Sequence, residues 1–154
     1  MKKIILSLFV TLMLTGNSHA AGSSSSSGSS SSSNYDKAVK LIKSAKKYEQ
    51  KEKADKAKKN YEKAQKLLIK SNDKNTNNAD TLNYLGFTTR KLGDFSNGEK
   101  YYLQGLAIEP KHIGINEYLG ELYVATNRID LAKERLEVLK DCNCKEFNEL
   151  KDVI

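Results

Sequence analysis

The chain has 154 residues, with one proline, two cysteines and no tryptophan, and its formal net charge is +7. This length allows one small domain. The charge is uneven, because residues 36–66 hold twelve lysines against five acidic residues, whereas residues 79–154 hold ten basic residues against thirteen acidic ones.

The first twenty residues predict an export signal. Lys2 and Lys3 supply positive charge, residues 4–14 form an apolar stretch, and Ser18-His19-Ala20 is a small-residue cleavage site. The apolar stretch is too short for a membrane-spanning helix, which needs about 20 residues. We therefore expect cleavage after Ala20. A short, lysine-led signal is typical of bacterial export, so the expected location is the periplasm.

Residues 21–34 predict a disordered linker. The run GSSSSSGSSSSS has no side chain that can be buried, so nothing offsets the entropy of ordering it. After residue 34 the composition changes to apolar residues and lysines.

Residues 35–78 predict a lysine-rich helical pair followed by a polar connector. The expected core residues are Val39, Leu41 and Ile42 in the first helix and Tyr61, Ala64, Leu67 and Leu68 in the second. A basic face of this kind can attract nucleic acid, anionic lipid or a polyanionic envelope polymer. The predicted export argues against nucleic acid as the partner of this face. Lysines also keep a helix with few apolar residues soluble, and we favour that interpretation over a binding patch.

A repeat begins at residue 79. Tyr84-Leu85-Gly86 returns 34 residues later as Tyr118-Leu119-Gly120. The offset also relates Leu82 to Asn116, Phe95 to Ile129, Gly98 to Ala132, and Tyr102 to Leu136. A 34-residue period with this pattern resembles the tetratricopeptide family, whose unit is two antiparallel helices, A and B, joined by a short turn. The resemblance implies an all-α fold, a short solenoid of helix pairs, with units at 79–112 and 113–144.

The first unit fits the family pattern at all but one position. It supplies Leu82, Leu85, Gly86, Phe95, Gly98, Tyr102, Gly105 and Pro110, and only Thr89 departs, because an aromatic residue is usual there. The second unit fits through Leu119, Gly120, Tyr123, Ile129, Ala132, Leu136 and Leu139, but Cys144 replaces its final proline. We expect Gly86 to face Gly98, and Gly120 to face Ala132, where the two helices of each unit cross.

Residues 145–154 predict a short helix that caps the last repeat. Phe147, Leu150, Val153 and Ile154 recur at helical spacing, and Asn143 with Glu146 resembles a capping box. Solenoids need such a terminal element, because the outer face of the last repeat would otherwise be exposed.

The resemblance also implies where a partner binds. Tetratricopeptide proteins are scaffolds whose A helices line a concave surface that holds a segment of another protein. The groove positions of this chain are Asp80, Asn83, Phe87, Arg90, Gly114, Glu117, Glu121 and Val124. The family's lysine and asparagine clamp for terminal carboxylates is not reproduced. We expect a basic or mixed apolar segment, with Phe87 as anchor and Glu117 and Glu121 as counter-charges.

Catalytic chemistry is not indicated. After cleavage His112 is the single histidine, no nucleophile or metal motif is present, and we expect neither an enzyme nor a cofactor. Cys142, Cys144 and His112 are weak candidates for a metal site, and a disulfide or idle thiols is the favoured interpretation of the cysteines. A small metal or redox carrier therefore stays as one alternative function. The other is an adaptor whose lysine-rich helices associate weakly with the anionic envelope surface.

Overall fold

The computed structural model describes residues 33–154. The predicted export signal and nearly all of the predicted linker lie outside this range. The described residues form seven α-helices and no strand, in the order α1 (Asn34–Glu49), α2 (Ala54–Lys74), α3 (Ala79–Lys91), α4 (Phe95–Ile108), α5 (Ile113–Ala125), α6 (Ile129–Leu139) and α7 (Lys145–Val153). The predicted all-α solenoid of helix pairs with a terminal helix is confirmed. None of these helices has the length and apolar character that crossing a membrane requires.

A capping box starts α1. The Ser33 hydroxyl accepts a hydrogen bond from the Asp36 amide at 3.1 Å, and the Asp36 carboxylate accepts one from the Ser33 amide at 3.1 Å. These bonds satisfy amides that lack partners inside the helix. The Ser33 hydroxyl also donates a hydrogen bond to the Asp36 carboxylate at 2.7 Å, and this bond, together with the one from the Ser33 amide, holds the pKa of Asp36 below its usual value. The helix consequently takes in Asn34, the last residue of the predicted linker.

Alanines fill the buried face of α1. Ala38, Ile42 and Ala45 are buried, whereas Val39 and Leu41 are only partly covered. Ile42 therefore lies in the core as expected and Leu41 packs against it, whereas the sequence analysis did not predict the two alanines, whose small side chains let α1 and α2 approach closely. On α2 the expected Tyr61, Ala64 and Leu68 are buried, together with Ala57.

The two glycines of the first repeat lie at the crossing of α3 and α4. A Cβ atom on Gly98 would stand 3.2 Å from the Gly86 carbonyl oxygen, and one on Gly86 would stand 2.5 Å from the Tyr102 ring. The turn between these helices uses Gly93 at φ +96°, a conformation that favours glycine. Asp94 then caps α4 by accepting a hydrogen bond from the Asn97 amide at 3.0 Å.

Gly120 has a different neighbour from the one expected. The nearest atoms to a Cβ placed there belong to Leu150 of α7, at 2.5 Å, and not to Ala132 of α6. Leu150 is fully buried, so α7 seals the last repeat through this contact. The predicted capping box before α7 is also wrong. Cys144 is the N-cap residue and has no side-chain capping bond.

Polar contacts join successive helix pairs. The Arg128 guanidinium donates two hydrogen bonds, at 2.9 and 2.8 Å, to the Glu99 carboxylate of α4. Thr89, the residue that departs from the family pattern, is buried and accepts a hydrogen bond from Gln65 of α2 at 2.9 Å. Its hydroxyl finds a partner on the preceding pair, which accounts for a polar side chain at an apolar position.

Candidate functional site

The odd-numbered helices share one open cleft. Side chains of α1, α3, α5 and α7 line an opening of about 460 Å³, which we call the odd-helix cleft. The turns bring these four helices side by side, because each even-numbered helix carries the chain back across its own pair. The cleft is thus built from residues that are far apart in the sequence.

Phe87 lies at the floor of this cleft and is covered. The side chain is only 3% exposed. Its ring centre is 4.8 Å from that of Tyr118 and 5.8 Å from that of Tyr61, and the Lys46 ammonium stands 4.7 Å above it. Such cation–π contacts are favourable by about 0.5–2 kcal/mol, depending on solvent exposure. The predicted role of Phe87 as the anchor for a partner does not fit this burial, because the protein's own lysine stands over the ring.

Most charges of the cleft are paired with one another. The pairs are Arg90 with Glu121, Lys91 with Glu49 at 2.7 Å, and Lys145 with Glu149 at 3.0 Å. Lys46 is the exception. Its ammonium donates a hydrogen bond to the Tyr118 hydroxyl at 2.9 Å and forms no salt bridge within residues 33–154.

Glu117 is a buried carboxyl group with little tendency to ionise. It is 4% exposed, and burial raises its pKa to about 8. A hydrogen bond to Glu149 and the negative charge of Glu121 act in the same direction. At neutral pH Glu117 is mostly protonated and donates this bond to the Glu149 carboxylate. The prediction of Glu117 and Glu121 as counter-charges for a basic segment does not hold, since Glu117 is mostly neutral and Glu121 is paired with Arg90.

The cleft brings together four of the six predicted binding residues, namely Phe87, Arg90, Glu117 and Glu121. Asn83 and Val124 do not line it. Asn83 is buried against Gly114, where an added Cβ atom would stand 2.8 Å from its amide nitrogen.

Most of the cleft residues that sequence reasoning missed come from the first and last helices. The missed residues are Lys46, Glu49 and Gln50 at the end of α1, Lys91 of α3, Tyr118 of α5, and Lys145, Glu149 and Val153 of α7. A signal for two of them was present, since Lys46 and Glu49 lie 34 residues before the groove positions Asp80 and Asn83. The first helix pair, α1 and α2, departs from the repeat pattern, and this hides the 34-residue offset.

Known structures share this arrangement of helices. The first tetratricopeptide domain of human RPAP3 superimposes with a TM-score of 0.56 at 22% identity, over 76% of this chain and 89% of that one. The chain has the tetratricopeptide fold. No protein-family model and no curated protein matches its sequence.

Two further tetratricopeptide-fold neighbours were determined with peptides. The second domain of human RPAP3, in complex with the HSP70 peptide SGPTIEEVD, has a TM-score of 0.53 at 16% identity, over 78% of this chain and 97% of that one. The type III secretion chaperone SycD of Yersinia enterocolitica, in complex with a peptide of the translocator YopD, has a TM-score of 0.51 at 16% identity, over 77% and 92%.

The candidate metal ligands are not brought together within this tetratricopeptide fold. Cys142 and Cys144 are joined by a disulfide in the turn before α7, so the expected alternative of idle thiols does not hold in this structure. His112 caps α5 by accepting a hydrogen bond from the Ile115 amide at 3.1 Å, and its other ring nitrogen is 3.2 Å from an Asp80 oxygen. Among residues 33–154 no three histidine, cysteine or acidic side chains are placed to hold a metal ion.

A second, larger opening of about 650 Å³ lies beside the turns that end α1 and α3. Glu49 and Lys91 line both openings. At this rim the Tyr61 hydroxyl donates a hydrogen bond to Glu49 at 2.9 Å, which fixes the carboxylate between the two openings. The larger opening extends the odd-helix cleft toward the turns of the tetratricopeptide solenoid.

Proposed function

We propose that the protein is a non-enzymatic scaffold that holds a segment of another protein in the odd-helix cleft. The observation that carries this proposal is the cleft itself, an open surface to which four helices of three repeats and a cap contribute. Peptide complexes of RPAP3 and SycD, whose folds are similar, support the same use of the fold here.

The charges of the cleft favour a segment with an acidic side chain. Three of its four cations form salt bridges with carboxylates, whereas Lys46 forms none among the described residues and donates a hydrogen bond to a phenol. An incoming carboxylate can therefore pair with Lys46. A basic segment would instead meet Lys46 and Arg90 beside the Phe87 ring. The expected preference for a basic partner is accordingly reversed in this proposal.

The absence of catalysis is part of the proposal. His112 is the one histidine among the described residues, and its two ring nitrogens are engaged by a helix cap and an aspartate outside the odd-helix cleft. The cleft itself holds ion pairs and a protonated carboxyl group, with no nucleophile placed beside a base.

Export to the bacterial periplasm also belongs to the proposal and rests on residues 1–20 alone. Expression in a bacterium with its native start, followed by fractionation and mass spectrometry, tests it. A periplasmic protein whose first residue is Ala21 is the expected result. A protein that keeps residues 1–20 and stays in the cytoplasm would refute this part without bearing on the cleft.

A displayed library of random peptides tests the scaffold proposal. Selected peptides should contain an acidic residue. Their affinity should fall about tenfold for Lys46→Gln, because a charge-assisted hydrogen bond is lost. Lys43→Gln is the matched control, since Lys43 is an exposed lysine on the same helix that does not line the cleft. Equal losses for both variants would show that peptides respond to overall charge and not to the cleft.

A further inference from the structure

Six lysines lie in a row along α2. Their spacing of three or four residues places them on one face of the helix, and all are exposed: Lys56, Lys59, Lys63, Lys66, Lys70 and Lys74. At 1.5 Å per residue this lysine strip is about 27 Å long. The opposite face of α2 carries Ala57, Tyr61, Ala64 and Leu68, which are buried, so the strip points away from the core.

The lysine strip is in excess over the acidic residues beside it. Three acidic residues of α2 lie three or four positions from members of the strip: Asp55 from Lys59, Glu62 from Lys59 and Lys66, and Asp73 from Lys70. None of the six lysines forms a salt bridge among the residues that the structure describes. Holding six like charges together weakens a domain through repulsion, and an external anionic partner relieves that cost.

The chemistry of the strip favours a diffuse anionic surface over a nucleic acid. Single-stranded nucleic acids bind to positively charged grooves interleaved with exposed aromatic rings. The one aromatic residue of α2, Tyr61, is 1% exposed. The helix also has no arginine, whose planar group recognises single phosphates through paired hydrogen bonds. A straight row of lysine ammonium groups on flexible side chains is instead suited to a flat surface that presents many anionic groups.

We infer that the lysine strip is a docking surface for an anionic lipid bilayer. A lysine near such a surface strengthens binding by about fivefold, so four of them contribute more than two orders of magnitude. The apolar face of α2 is covered by α1 and α3, and the contact is therefore electrostatic and weakened by salt. None of the six lysines lines the odd-helix cleft, so the bilayer and a partner segment can bind at the same time.

Vesicle sedimentation of the protein that begins at Ala21, the form that the predicted cleavage leaves, tests this inference. The vesicles are phosphatidylcholine with phosphatidylglycerol, and phosphatidylcholine alone, each at low and high salt. The strip variant changes Lys59, Lys63, Lys66 and Lys70 to glutamine, a good helix former that preserves α2. The matched control changes four exposed lysines on other elements, Lys100, Lys111, Lys133 and Lys151, and so removes the same charge.

The wild type and the control should bind the anionic vesicles at low salt, and the strip variant should bind at least a hundredfold more weakly. Equal weakening of both variants would overturn the inference, since net charge would then suffice. Equal binding to both vesicle types would overturn it in favour of apolar contact. Binding to soluble polyglutamate without binding to the vesicles would also overturn it, because the partner of the strip would then be an acidic polymer and not a bilayer.

Discussion

The Lys46 ammonium lies 4.7 Å from the centre of the Phe87 ring and donates a hydrogen bond to the Tyr118 hydroxyl at 2.9 Å. Three helices, α1, α3 and α5, meet at this point. The degenerate first pair is therefore part of the cleft and not merely a solubilising extension. It supplies the one cleft cation that forms no salt bridge among the described residues.

Removing that cation should cost stability. Lys46→Met keeps the length of the side chain but loses the cation–π contact and the hydrogen bond, so we expect the free energy of unfolding to fall by about 1 kcal/mol. Urea unfolding measures it. Lys43→Met, on the exposed face of the same helix, should stay within about 0.5 kcal/mol of the wild type. An unchanged free energy of unfolding for Lys46→Met would mean that the ammonium does not contact the Phe87 ring.

The buried carboxyl of Glu117 predicts a pH dependence of stability. Its pKa is about 8 in the folded protein and near 4.5 when unfolded. Between these two values the folded state holds a proton that the unfolded state has released. The contribution of Glu117 to the free energy of unfolding is therefore complete below pH 4.5 and is lost as the pH rises through 8. Glu117→Gln stays neutral throughout. As the pH rises, its free energy of unfolding should therefore increase relative to that of the wild type, by up to about 1.4 kcal/mol per pH unit.

Exposed Glu62→Gln is the control for this comparison, and its stability should follow the wild-type curve. Thermal unfolding at a series of pH values provides the readout. Parallel curves for Glu117→Gln and the wild type would mean that Glu117 is ionised in the folded protein at neutral pH.

Gly86 and Gly120 should respond differently to alanine. At Gly86 the new methyl group meets the Tyr102 ring, which is stiff and fully buried, and overpacking typically costs about 1–3 kcal/mol. At Gly120 it meets the end of the Leu150 side chain, which is also buried but more flexible than a ring, so the clash costs less; the gain in helix propensity of about 1 kcal/mol is the same at both positions. Gly86→Ala should therefore unfold at clearly lower urea concentration than Gly120→Ala. The reverse order would refute this account of the crossings.

The disulfide closes a very small loop and should matter little to the cleft. Replacing Cys142 and Cys144 by serine should lower stability by on the order of 1–2 kcal/mol, because a short loop loses little entropy on closure. Affinity for selected peptides should stay unchanged, since neither cysteine lines the odd-helix cleft. A bound metal ion lost together with peptide binding would revive the carrier hypothesis.

The sequence predicted the fold well because the repeat carries its own packing rules. Gly86, Gly93 and Pro110 mark a close crossing, a turn and a helix end, and each does so through backbone sterics that act locally. The terminal helix was predictable from the helical spacing of its apolar residues, but its contact with Gly120 was not. Neighbours across a solenoid depend on tertiary packing that no local rule specifies.

The site was harder to predict, because its properties arise from burial and from long-range pairs. Helical position placed Phe87 and Glu117 in the cleft correctly. It could not show that Lys46 covers the ring or that desolvation keeps Glu117 protonated. Both effects depend on residues more than thirty positions away in the chain.

Backbone amide chemical shifts test the central claim most directly. The isotope-labelled chain is titrated with the tightest peptide from the displayed library, and shift changes are mapped onto the helices. The scaffold account predicts changes concentrated in four segments, 46–50, 87–91, 117–121 and 145–153, that line the odd-helix cleft. Changes concentrated on α2, α4 and α6, with these four segments unaffected, would contradict it.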